Sequence, residues 1–172
     1  MTGIPEVIHS FNVYKGGNKL IGLTGEVTLP DFGAMTATVS GSGILGEFEE
    51  ALIGMFGSME QEIPFRVLDD DIFSLMNPLE VLDLTLRASE QYTVQNTGAI
   101  DFKGMRVVLR GKQKGFKPGK VQNGTQMDSS VTIEVVYIMI EIDGKQKVEL
   151  DKLNFVFKVN GVDLLEKVRR QC

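Results

Sequence analysis

The glycines of Gly41-Ser42-Gly43-Ile44-Leu45-Gly46 are spaced as in a backbone loop that wraps a pyrophosphate, and Asp69 stands downstream where a ribose-binding carboxylate would be. That chemistry needs a buried parallel strand before the glycines and alternating strand-helix units after them. Residues 35–40 are instead amphipathic, and the chain beyond them reads as strand after strand. A flexible turn is the expectation, with no cofactor. Nucleophilic catalysis lacks its parts, since His9 is the sole imidazole and the only thiol, Cys172, is the last residue. The acids Glu47, Glu49, Glu50, Glu60, Glu62, Asp69, Asp70 and Asp71 offer carboxylate pairs for acid/base work, although such clusters usually form solvated faces. The triple Asp lacks the alternate spacing and distal Glu of a calcium loop, and no His and Cys set has metal-ligand spacing. Neither an enzyme nor a metal site is expected.

One further feature is a basic run, Arg110, Lys112, Lys114, Lys117 and Lys120, with no acid among them and with Gly111, Gly115, Pro118, Gly119 and Gly124 interrupting it or following it. It reads as a long exposed loop near residues 110–124. Such a loop is either merely solvated or docks on an acidic surface of a neighbouring subunit or another protein. The net charge of -5 disfavours a duplex-DNA binder, whose affinity would rest on neutralising phosphates.

The elements that must position these residues are mostly strands. Leu82, Leu84, Leu86 and Ala88 alternate with Asp83, Thr85, Arg87 and Ser89; Met35, Ala37 and Val39 alternate with Thr36, Thr38 and Ser40. The same pattern sets Ile63, Phe65 and Val67 against Glu60, Glu62 and Arg66, and it extends through Phe11 and Val13 to Leu23, Val27 and Leu29. Residues 105–110, 131–142, 147–150 and 153–159 continue a β-meander, with Asp143-Gly144 as a tight hairpin turn. Two short helices are predicted, over residues 70–77 and near 162–170. Residues 47–56 are ambiguous: Phe48, Leu52 and Phe56 make a helical stripe, while the glycines around them allow an extended loop.

With 172 residues, 42% of them hydrophobic and 24% charged, the chain has the composition of one globular domain spanning 1–172. Area scaling lets such a chain bury about 70% of its surface. The longest apolar run, residues 135–140, is far short of the ~20 that span a bilayer, so no membrane insertion by the monomer is expected. The opening MTGIPEVIHS lacks a basic stretch followed by an apolar segment, and the lone cysteine suits a reducing cytoplasm.

Four stretches carry a resemblance: FNVYKGGNKLIGLTGEVTLPDF (residues 11–32), VVLRGKQKGFKPGK (107–120), VTIEVVYIMIEIDGK (131–145) and, most specific, NGVDLLEKVRR (160–170). Together they resemble the major tail tube protein family of contractile-tailed bacteriophages, shared with R-type phage-tail-like bacteriocins. Residues 44–77 depart from the family pattern by being longer and more apolar. The resemblance implies a mainly β fold, an antiparallel β-sandwich or barrel-like domain with one or two short helices, whose strands close into a β-barrel tube on oligomerisation. It implies a non-enzymatic virion structural protein, made in the host bacterial cytoplasm, whose hexameric rings stack into the hollow inner tube of a contractile tail. Its partners would be further copies of itself, the tail sheath protein, baseplate and tail terminator proteins, the tape measure protein, and DNA passing through the lumen without specific binding. The alternative is the tube of a bacteriocin or contractile injection system that carries no DNA, and a ligand-binding β-barrel is a more distant third. Within that frame Thr36, Thr38, Glu60, Glu62, Asp83 and Thr85 are expected to face the lumen. Arg110, Lys112, Lys114, Lys117 and Lys120 are expected at a subunit or sheath contact.

Overall fold

Where apolar and polar residues alternate, one face of a strand can be buried and the other left in water, and this chain is built almost wholly on that rule. The computed structural model describes residues 3–172, so Met1 and Thr2 of the opening stretch lie outside the described residues. In chain order the strands are β1 (Gly3–Lys15), β2 (Asn18–Lys19), β3 (Ala34–Ser40), β4 (Glu47–Phe56) and β5 (Glu60–Phe65). Helix α1 (Asp70–Phe73) leads to β6 (Leu82–Val94), β7 (Ile100–Lys117), β8 (Ser129–Ile142), β9 (Lys145–Asp151), β10 (Val156–Val159), β11 (Val162–Asp163) and α2 (Glu166–Gln171).

Among the described residues the strands form two antiparallel sheets. One runs in the order β11-β10-β9-β8-β7-β6-β1-β2, with β5 pairing the first half of β8; the other is the two-stranded ribbon β3-β4. The fold is mainly β, as the alternation predicts. On β6 the inward set Leu82, Leu84, Leu86 and Ala88 is buried, and its cross-strand partners Leu109 and Val107 on β7 and Ile138 on β8 are buried with it. Phe65, Ile72, Leu75, Leu20 and Met59 close the core from the other side, each such side chain contributing about 1.5–3 kcal/mol by leaving water. The segment after β2 acts as a strap: Leu23 bridges Phe65, and the Arg66 N–H donates to the Gly22 carbonyl at 2.8 Å. It draws β1 and β5 together, while the strand ladder itself stays open.

Local differences from the sequence expectations have identifiable causes. Residues 47–56 are neither helix nor loop but β4, paired with β3. Residues 110–117 are not a loop: they are the end of β7, because β8 offers a complete partner edge and the register absorbs irregularities at Arg110/Gly111 and Gln113/Gly115. Only residues 118–128 connect, and that connection is tied down by Ser129 Oγ donating to the Pro118 carbonyl (2.8 Å) and the Met127 N–H donating to the Arg66 carbonyl (2.7 Å). Leu23, Val27 and Leu29 lie on the strap rather than on a strand, and Val67, past the end of β5, is 47% exposed instead of facing the core. The helix over 70–77 stops at Phe73. The terminal one starts at Glu166 because Val162 and Asp163 pair with β10 first, and β10 itself starts at Val156 after an Asp151 side-chain turn. Asp143 and Gly144, with φ of 52° and 74°, form the expected tight hairpin turn. Gly41 to Gly46 turn β3 into antiparallel β4, which removes the parallel strand and the helix a dinucleotide site requires.

Candidate functional site

No cluster of three or more His, Cys, Asp or Glu able to hold a metal ion occurs among the described residues. His9 meets the edge of Phe102 (ring centroids 5.7 Å apart), and Cys172 is exposed at the end of the chain. The features that remain are surfaces.

The first is the outward face of the large sheet. Alternation turns Asp83, Thr85 and Arg87 of β6 outward, and antiparallel register sets them opposite Arg110, Val108 and Arg106 of β7. β8 then brings Tyr137 opposite Arg110 and Glu141 opposite Arg106. The Arg106 guanidinium donates to Glu141 at 2.7 Å, Arg110 lies 3.7 Å from Asp83, and the Arg110 guanidinium stacks 4.4 Å from the centre of the Tyr137 ring. The Tyr137 hydroxyl donates to Glu149 (3.0 Å); burial first, and then that bond to a carboxylate, push its pKa up to about 12.

The same face continues onto β5. Glu60 and Glu62 project outward as their neighbours Gln61 and Ile63 are buried. Lys114 makes ion pairs with Glu60 and with Glu134, the second at 3.0 Å, and these two hydrogen bonds raise its pKa. Burial works against the charge of Glu134, but hydrogen bonds from Ser58 (2.8 and 2.9 Å) and Lys114 outweigh it and hold the carboxyl below its ordinary range. Lys117 lines a shallow pocket with Glu60, Glu62 and Thr132. Lys112 stands opposite Glu134, and Lys120 lies beyond β7 with its N–H donating to the Met127 carbonyl (2.9 Å).

Sequence reasoning put Glu60 and Asp83 in one set and Lys114 and Arg110 in another. The structure brings them together: Glu60 pairs with Lys114 and Asp83 with Arg110, so the members of each pair share one environment. Thr36 and Thr38 are elsewhere, on the ribbon. Register sets Thr36 opposite Ala51, Thr38 opposite Glu49 and Ser40 opposite Glu47, which makes one ribbon face polar and acidic. The other face carries Ala37, Val39, Phe48 and Glu50. Glu47 and Glu49 have no ion-pair partner among the described residues. Sequence reasoning noticed them only as generic carboxylates; the signal that could have placed them is their alternation with Phe48.

The second surface was not foreseen. At the base of the ribbon Met35, Leu52, Met55, Phe155, Leu164 and Val168 line an open apolar groove of about 550 Å³. Gly54 lets α2 approach here: a Cβ at this position would lie 2.7 Å from Leu165 Cδ1, and its φ is 76°. Arg169 fastens the helix by an ion pair to Asp163 and by donating to the Phe155 carbonyl at 2.7 Å; the Arg169 hydrogen bond lowers the Asp163 pKa.

An open sheet and a two-faced ribbon leave edges and faces that another chain can cover, and sequence comparison names the family. The profile of the family described as phage tail tube protein FII matches residues 5–172. The chain belongs to the phage tail tube protein family. It is similar to the tail tube protein of Escherichia phage P2, 30% identical over 174 residues that cover 97% of this chain and 96% of that one. It is also similar to the major tail tube protein of Serratia phage KSP20, 25% identical over 161 residues covering 94% and 91% of the two chains. A tail tube protein is a structural component of the virion tail, and its work is self-assembly; the faces described above are what this one offers for it.

Proposed function

We propose that the chain is the major tube subunit of a contractile tail. Copies associate as hexameric rings, and the rings stack into a hollow tube inside a sheath. The tube conducts DNA and is driven as a rod through the host envelope. The observation that carries this reading is an excess of surface. The isolated chain exposes 10906 Å², where scaling for a compact protein of 19.0 kDa gives about 8,400 Å². The excess lies on elements that a monomer does not need exposed: the ribbon, with Phe48, Ile53 and Met55 in water, and the far ends of β1 and β7, with Ile4, Val7, Ile8, Ile100 and Phe102. Ring closure would cover these side chains and pair the open edges.

Within the ring, the polar ribbon face is assigned to the lumen, with Thr36, Thr38 and Ser40 beside Glu47 and Glu49. Repeated around a ring, the unpaired glutamates build a negative potential that keeps a passing polyanion from binding. Glu60, Glu62, Asp83 and Thr85 are assigned with Arg110, Lys112, Lys114 and Lys117 to one mixed-charge surface that meets a neighbouring subunit or the sheath, with Lys120 at its margin. Its internal ion pairs leave it close to neutral, which suits docking better than repelling DNA. Sheath, baseplate and terminator proteins would contact the outside and the ends of the tube, and the tape measure protein would occupy the lumen before DNA does. The subunits would be made in the host bacterial cytoplasm.

The test is electron microscopy of the purified chain over rising concentration. Rings or tubes of uniform diameter are expected; strictly monomeric sedimentation throughout the same range would overturn the reading.

A further inference from the structure

The glycine-spaced Gly41–Gly46 turn joins two antiparallel strands, and its composition asks for an explanation. Gly41, Gly43 and Gly46 all take positive φ, and between them Ile44 is 37% exposed and Leu45 fully exposed. The turn thus presents a pair of aliphatic side chains at the very tip of the ribbon. At the base of that same ribbon is the open groove walled by Met35, Leu52, Phe155, Leu164 and Val168. Residues 36–40 of β3 separate the groove's Met35 from the turn, roughly 17 Å of strand, so a tip cannot reach its own groove.

Resting on the reading that copies of this chain assemble, we propose that the Ile44–Leu45 tip of one copy plugs into the ribbon-base groove of the next. Every copy carries one plug and one socket on different parts of its surface, which is the requirement for a heterologous, propagating contact. Charge fits the same arrangement. Glu50, on the ribbon face that is not assigned to the lumen, stands behind the plug, while the helix that forms one wall of the socket carries Lys167, Arg169 and Arg170 against Glu166. Glu50, Lys167 and Arg170 have no ion-pair partner among the described residues. An arriving Glu50 therefore meets a helix of net positive charge as the aliphatic tip enters an apolar groove, and the complementarity selects a second copy as the occupant.

The test introduces cysteines at both ends of the contact, Leu45→Cys with Val168→Cys, in a chain whose own thiol is removed by Cys172→Ser. The pair is too far apart to bridge within one copy, so mild oxidation of assembled tubes is expected to give a ladder of disulfide-linked multimers on a non-reducing gel. Leu45 contacts nothing in the monomer that its loss would damage, so Leu45→Glu is expected to leave the unfolding curve unchanged while raising the concentration needed for assembly about tenfold or more. Tubes that form normally but give no ladder, or that form from the Leu45→Glu chain at the wild-type concentration, would overturn the plug and leave the tube reading standing. A wild-type chain that never assembles would remove both.

Discussion

At Gly111 the backbone of β8 stands close against β7, the longest strand, and replacing this glycine by alanine tests the register on which the outward face depends. A Cβ at this position would lie 2.0 Å from the Glu134 carbonyl oxygen, 2.9 Å from its carbonyl carbon and 3.0 Å from Ile133 Cγ2. A carbon normally comes no nearer a carbonyl oxygen than about 3.3 Å, so the strands must part by more than ~1 Å at a position where backbone, not a flexible side chain, stands in the way. The separation falls beside the Arg110/Gly111 irregularity, where ladder bonds are already sparse. Overpacking costs about 1–3 kcal/mol and a ladder hydrogen bond about 1 kcal/mol net, so Gly111→Ala should cost ~3 kcal/mol. For a domain of this length that lowers Tm by roughly 6–12 °C. Gly104→Ala is the matched control on the same strand: its Cβ would meet nothing within 4 Å, and its effect should stay within ~0.5 kcal/mol of neutral or be slightly stabilising. Thermal and urea unfolding of the two variants measures the difference directly. Equal stabilities would refute the close approach and with it the pairing of Lys112 with Glu134 across β7 and β8.

Three further outcomes follow from the charges. Lys114→Glu removes a cation held by Glu60 and Glu134 and leaves three carboxylates together, whereas Lys112→Glu breaks no ion pair; urea midpoints should fall more for the first, and added salt should shrink the gap. Because Asp163 has a lowered pKa in the folded state, its contribution is complete above the ordinary carboxyl value of about 3.9 and is lost as pH falls through the lower folded value. The stability difference between wild type and Asp163→Asn should accordingly be constant from neutral pH to about pH 5 and shrink in stronger acid; a difference that grows on acidification would contradict the Arg169 clip. Phenolate absorbance should show Tyr137 ionising at about 12, and Glu149→Gln should bring that midpoint down only partway, since burial is the larger cause.

The division between sequence and tertiary structure can be followed residue by residue. Residues 82–89 declared themselves as strand because their two faces meet different media, and period two then leaves no other regular structure. Asp143-Gly144 was equally explicit, since two successive positive φ values are tolerated by few residue pairs. Phe48, Leu52 and Phe56 could not decide between structures, because a spacing of four falls on one face of a helix and on one face of a strand alike. Pairing with β3 settled it. In the run from Arg110 to Lys117 the glycines announced a loop; the long edge of β8 supplied enough ladder to hold them in a strand, with Gly111 and Gly115 falling at its irregular points. The strap residues Leu23, Val27 and Leu29 erred the other way, having apolar alternation but only an isolated bridge, Leu23 to Phe65, where a strand would have a ladder. The chemistry of the surface was legible as residue types and not as pairs. That Glu60 meets Lys114, that Asp83 meets Arg110, and that the ribbon base and α2 enclose a groove all depend on which strands become neighbours. Local periodicity fixes the direction in which each side chain points; only the register between segments far apart in sequence fixes what it meets.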